Sequence, residues 1–161
     1  MMSLKGILVP HDFSETSEAA ANYGIALARS FGAQLHFLHV GDEARSAMDS
    51  EFPIGLEGSM ADAVRERLLK ILSPKDQLAL RPILAIRPGA PAAEIAHYAK
   101  DQDIDLIVMG THGRGFVGHV VMGSVAEKVV RIAPCPVLTV RGPKRGFLQP
   151  DQVPAVVSLG A

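Results

Sequence analysis

The chain has one cysteine, no tryptophan, and no apolar run long enough to cross a bilayer. A lone Cys135 excludes an internal disulfide and fits a reducing compartment. With no stretch of about 20 consecutive apolar residues, no membrane-spanning helix is expected. Lys5 is followed by only a short apolar segment that stops at Pro10, which does not read as a signal peptide, so a cytoplasmic location is expected. An excess of either charge is missing too: 16 Lys and Arg stand against 17 Asp and Glu, a net charge of −1. Together with the lack of an aromatic-and-basic stripe, this argues against a nucleic-acid or anionic-membrane partner. What is present is 161 residues, 48% of them hydrophobic, enough for one globular domain. That domain is expected over residues 1–142, followed by a Pro-, Gly- and Gln-rich tail over residues 143–161.

Two phosphate-binding signatures are missing or misplaced. No Gly-Lys pair occurs, so there is no Walker A loop. Gly113-x-Gly115-x-x-Gly118 spells the dinucleotide string, but the following helix opens later, at Gly123. The region about 20 residues on carries no acid. Instead, the apolar strand Asp105–Met109 breaks at Gly110 into a glycine-rich loop that ends where Gly123-Ser124 starts a helix. Glycines bring backbone N–H groups close to a ligand, and the first amides of a helix lack internal partners. The helix dipole favours negative charge at the same place. Ser124 adds a hydroxyl and Arg114 a guanidinium suited to phosphate. Gly110-x2-Gly113-x9-Gly123-Ser124 therefore reads as a phosphate cradle.

In chain order, Leu4–Pro10 reads as a buried strand. Ser14 caps a helix running to Phe31, which Gly32 ends. Gln34–Val40 is a second strand. Residues 41–58 read as a loop, and Ser59–Leu72 as an amphipathic helix that Pro74 ends. A third strand is expected over Leu78–Ile86, a helix over Ala92–Asp101, a fourth strand over Ile104–Met109, and a helix over Val125–Ile132 with Val125, Val129 and Ile132 on one face. A fifth strand is expected over Cys135–Val140. Strands alternating with helices imply an open five-stranded parallel sheet, Rossmann-like, with helices on both faces. Pro82 and Pro136 place the third and fifth strands at edges, giving the order 3-2-1-4-5. Ligands of such sheets bind beyond the strand ends where the winding reverses, here between strands 1 and 4. The segment Pro10–Ser14 and the loop Gly110–Ser124 meet there.

Candidate residues carry alternatives. Asp12 could bond a ribose hydroxyl or hold a divalent ion, or simply cap the first helix. Val40 could present its backbone to an adenine, and Met109 could pack against one. His112 and His119 match no zinc spacing, and His36 and His39 lie on opposite strand faces. Ser124 sits in no Gly-x-Ser-x-Gly elbow and has no evident base, and Cys135 between prolines reads as a packing residue.

Ile7-Leu-Val-Pro-His-Asp-Phe-Ser14, His39-Val40, Pro88-Gly89-x-Pro91-x3-Ile95, Asp105-Leu-Ile-Val-Met-Gly-Thr-His-Gly113, Gly123-Ser124 and Cys135-Pro-Val-Leu138 together resemble the universal stress protein family. The cradle spacing resembles its ATP-binding branch. The likeness spans Leu4–Arg141 and implies the same 3-2-1-4-5 sheet, of the adenine nucleotide alpha hydrolase-like kind. It further implies binding of ATP, often with Mg²⁺ or Mn²⁺, in stress response. By this resemblance Pro10, Asp12 and Val40 contact adenosine. Met109, Gly110, His112, Gly113, Arg114, Gly123, Ser124 and Val125 contact base, ribose and phosphates, with Gly115 in the same loop. Where the family usually carries an aliphatic residue this chain has His11, which would crowd or hydrogen-bond the nucleotide if it faced the crevice. Pairing of the exposed edge Val137–Val140 between two copies would give a homodimer. The expectation is a nucleotide-dependent sensor or regulator, since no positioned base or Walker lysine supports fast phosphoryl transfer. The alternatives are a slow ATP hydrolase or nucleotidyl-transfer enzyme using the same crevice, and a nucleotide-free dimeric scaffold.

Overall fold

The computed structural model describes residues 3–41, 56–112 and 122–142. Its parallel sheet has the order β3-β2-β1-β4-β5. The strands are β1 (Gly6–Pro10), β2 (Gln34–Val40), β3 (Ile83–Arg87), β4 (Leu106–Gly110) and β5 (Val137–Val140). The helices are α1 (Glu15–Phe31), α2 (Leu56–Leu69), α3 (Pro74–Leu80), α4 (Pro91–Asp101) and α5 (Ser124–Ile132). The register runs Ile7 to Leu35 and to Leu106, Phe37 to Leu84, and Met109 to Thr139.

The central strands are buried on both faces, which is why they read as continuous apolar runs. Ile7, Val9, Leu35, Phe37 and Val108 pack on one face with Ala20, Ala28 and Leu68 of α1 and α2. Leu8, Leu38, Ile107 and Met109 pack on the other with Ile95 and Tyr98 of α4 and with Ala126 and Val129 of α5. Each such fully buried side chain contributes about 1.5–3 kcal/mol. Asp105 ties the start of β4 to β1: its carboxylate accepts from the amides of Lys5 (2.6 Å) and Gly6 (3.0 Å). These amide bonds hold its carboxyl below the usual carboxylate range.

Three expectations need correction. Leu78–Leu80 are helical, not strand. Ser73 accepts from the Asp76 amide and donates to its carboxylate, a side-chain N-cap that starts α3 with Pro74 at its first turn. Pro74 thus opens a helix as well as following one. Pro82 then precedes β3 rather than interrupting it, although β3 is at the edge as expected. Ile132 is 52% exposed, so the buried stripe of α5 is carried by Ala126 and Val129. Gly32, in contrast, ends α1 in the left-handed conformation (φ 64°), as its position implies.

Candidate functional site

The two segments expected at the switch point do meet there. Beyond β1 the chain continues through His11 to Ser14, and beyond β4 through Thr111 and His112. The Thr16 hydroxyl of α1 donates to the His112 carbonyl and joins them. Gly110 is required by this approach. A Cβ on it would lie 2.6 Å from Thr16 Oγ1 and 2.7 Å from the Thr16 carbonyl carbon, closer than real Cβ atoms come.

The start of α5 lies at the same spot. The Gly123 amide donates to the Thr111 carbonyl at 2.5 Å, while the Thr111 amide donates to Val140 at 3.0 Å. Gly123 is the N-cap of α5 in extended conformation and supplies no side-chain cap. Among the described residues no side chain caps the amides of the first helical turn, where Ser124 is exposed. Met109 is buried at that strand end, and Val40, Met122 and Val125 pack around the same core cluster. The structure thus gathers an apolar wall and a helix start without a side-chain cap among the described residues on the α4/α5 side of the sheet. Pro10 is buried at the end of β1, and the His112 ring lies 2.9 Å from the Thr111 hydroxyl.

Asp12 behaves differently from a free ligand. Its Oδ1 accepts from the Ser14 amide (3.0 Å) and the Ser17 hydroxyl (2.5 Å), and Ser14 in turn accepts from the Ser17 amide (3.3 Å). Burial pushes its carboxyl upward, but the bonds from Ser14 and Ser17 outweigh it, and the group is held below the ordinary carboxylate range. These bonds fold the Asp12 carboxylate into the turn that precedes α1, whose N-cap is Ser14.

His11 lies on the other face of the sheet from Val40 and Met109. It is 3% exposed and packs edge-on to Phe13 (centroids 5.1 Å) and Phe37 (6.3 Å). The Phe13 amide donates to His11 Nδ1 (3.1 Å), which puts the proton of the neutral ring on Nε2. Nε2 is buried and without a hydrogen-bond partner among the described residues. As a donor it cannot ligate a metal. Burial is the main force lowering its pKa from 6.5 to about 4, aided by His39 and Arg67 and opposed by Asp12. His39 supports the turn from below, its Nδ1 donating to the His11 carbonyl at 2.8 Å. His36, on the opposite face, bonds Tyr98 at 2.9 Å. Among the described residues no three His, Cys, Asp or Glu side chains cluster as a metal site, and no helix is long and apolar enough to cross a membrane. Gly113, Arg114 and Gly115 lie outside the described residues.

Phe13 and Arg67 were not signalled as site residues by sequence. Phe13 has a left-handed backbone (φ 63°), and the Arg67 guanidinium of α2 sits 3.8 Å above its ring. Neither residue type nor spacing marks such a pair.

A five-stranded parallel sheet of this order defines a doubly wound α/β protein, a class whose ligands bind beyond the strand ends at the switch point. The universal stress protein family model matches residues 4–141, and the chain belongs to that family. It is 35% identical over 150 residues to universal stress protein MJ0531 of Methanocaldococcus jannaschii, covering 88% of this chain and 84% of that one. Over 144 residues it is 34% identical to universal stress protein YxiE of Bacillus subtilis, covering 84% and 97%. Among solved structures it is similar to universal stress protein UspA of Lactobacillus plantarum. That match has a TM-score of 0.68 and 30% identity, covering 88% of this chain and all of the other (100%).

Proposed function

We propose that the crevice between β1 and β4 binds an adenine nucleotide, ATP in the first instance, and that the protein is a nucleotide-dependent sensor or regulator. The observation that carries this reading is the start of α5. Its first-turn amides and Ser124 are held at the end of β4 by the Gly123–Thr111 bond, beside the apolar wall of Val40, Met109, Met122 and Val125. Amides and dipole suit phosphates, and the wall suits a purine. In this reading Gly110, His112, Gly123, Ser124 and Val125 surround phosphates and ribose, with Gly113, Arg114 and Gly115 completing the loop. Pro10 and Val40 border the adenosine, and Asp12 shapes the turn that faces it. Mg²⁺ or Mn²⁺ would arrive with the phosphates rather than in a protein cage. More distant members of the fold are known with nucleotides: a universal stress protein in complex with cAMP and one from Archaeoglobus fulgidus with dAMP.

A homodimer through the outer edge of β5 is part of the proposal. That strand is unpaired on its outer side among the described residues, and Val130 and Ile132 of α5 are exposed nearby. Domain limits at residues 1–142 and a cytoplasmic location complete the reading.

Calorimetry with ATP, AMP and NAD tests the function. ATP is expected to bind one site per chain, and Gly113→Val to abolish that binding while the domain stays folded. No heat with any of the three nucleotides overturns the reading in favour of a scaffold, and many turnovers per minute with Mg²⁺-ATP overturn it in favour of an enzyme.

A further inference from the structure

The turn that walls the crevice from the β1 side is not held by the sheet alone. One of its residues, Phe13, carries a positive φ of 63°, a conformation that costs a non-glycine residue free energy unless its surroundings impose it. The surroundings are specific. The Phe13 amide donates to His11 Nδ1 at 3.1 Å. The ring meets the edge of His11 at 5.1 Å and lies tilted against His39 at 5.0 Å. Arg67, from the last turn of α2, places its guanidinium 3.8 Å over the ring. α2 itself is anchored to the core by Leu68, adjacent in sequence to Arg67, and by Val64 one turn before it. With Arg67 over it and two histidines against it, Phe13 serves as a grip rather than as a platform for a base.

We infer that Arg67 and Phe13 form a clamp by which α2 holds the Pro10–Ser14 turn in its crevice-facing shape, making them positioning residues for the ligand. The inference rests on the nucleotide reading for the identity of that ligand, but the clamp exists without it. Three things follow physically. A turn pre-shaped by the clamp loses less conformational freedom on binding, so the clamp raises affinity without touching the ligand. Loosening α2 lowers affinity, and by reciprocity a bound ligand tightens α2. The clamp is selective for a cation over the ring, so lysine replaces arginine in part and a neutral residue does not.

The test uses the full chain with Arg67→Ala, Arg67→Lys and Phe13→Leu, read by residue-resolved amide exchange without ligand and by titration with Mg²⁺-ATP. Arg67→Ala is expected to speed exchange at residues 12–17 relative to β1 and β2, and to weaken ATP binding by about two- to fivefold. Arg67→Lys should recover part of both losses. Phe13→Leu keeps the apolar bulk but loses the π face and the ring contacts with His11 and His39, so it should lose at least as much as Arg67→Ala, and adding Arg67→Ala to it should change little more. Exchange that is unchanged, or that speeds up equally throughout the protein, overturns the clamp. Faster exchange at the turn with ATP affinity unchanged overturns its positioning role. If the unsubstituted protein takes up no ATP, the nucleotide reading fails on its own, and exchange at residues 12–17 still decides whether the clamp is real.

Discussion

Two helices begin at the crevice, and they begin in opposite ways. α1 is sealed: Ser14 caps the Ser17 amide, Asp12 takes the Ser14 amide and the Ser17 hydroxyl, and Glu15 and Glu18 fill its first turn with negative charge. α5 starts at a glycine with no side-chain cap, its only first-turn acid is Glu127, and Ser124 is exposed. Both ends carry the same helix dipole, but at α1 the protein's own oxygens have already used it. In the proposed complex the phosphates therefore take the α5 end, and α1 serves as a closed wall. The comparison separates two roles that one sequence feature, a polar residue before a helix, leaves merged.

The sharpest way to break this arrangement is to push the two ends apart. Gly110→Val would drive a side chain into the Thr16 backbone and hydroxyl. It is expected to cost about 3 kcal/mol in urea denaturation and to remove nucleotide binding with it.

Acid comes next, because the sealed turn contains His11. Its folded-state pKa of about 4 lies below the 6.5 of the unfolded chain, so the unfolded state takes up the proton first. Stability from neutral His11 is fully present above pH 6.5 and is lost as pH falls from 6.5 towards 4, by up to about 3 kcal/mol. Burial lowers His36 as well, which adds in the same sense. His11→Leu should flatten this slope in pH-dependent melts. The same change removes the buried Nε2, which has no partner among the described residues, but also takes the acceptor from the Phe13 amide, so the two effects oppose each other at pH 7. A slope that persists unchanged in the variant would assign it to other groups.

A smaller effect is expected at the joint. Thr16→Val deletes the hydroxyl that bonds the His112 carbonyl and should cost about 1–2 kcal/mol by chemical denaturation. The finest test sets the two serines against each other. Ser14→Ala should destabilise the fold by about 1 kcal/mol through its lost cap. Ser124→Ala should change stability by less than about 0.5 kcal/mol yet weaken ATP binding by up to about tenfold. Matching stability losses for the two variants would erase the distinction between a sealed and an open helix start.

Much of the fold is legible without coordinates because its signals are local. Gly32 after a helical run can only stop it cheaply in the left-handed region, and Ser14 before acidic residues is a cap by its own hydrogen bonds. The apolar runs of the central strands need no particular neighbour to be read as buried on both sides. One local signal was there to be used: Ser73-Pro74 followed by Asp76 is a helix start, outweighed by the apolar Leu78–Ile86 that follows. At the site, the glycines and Ser124 announce an opening, while the side on which His11 falls does not show, because strand alternation fixes it only once the sheet's two faces have been assigned to helices.

By itself the chain determined its alternation of strands and helices, its caps and the place where its winding reverses, since each depends on residues a few positions apart. Tertiary structure alone decided that Thr16 reaches His112 and that Arg67 settles over Phe13. Those outcomes depend on which distant groups the sheet brings within hydrogen-bonding or van der Waals range, and pairing over such separations is set by packing geometry, not by any local preference of the residues involved.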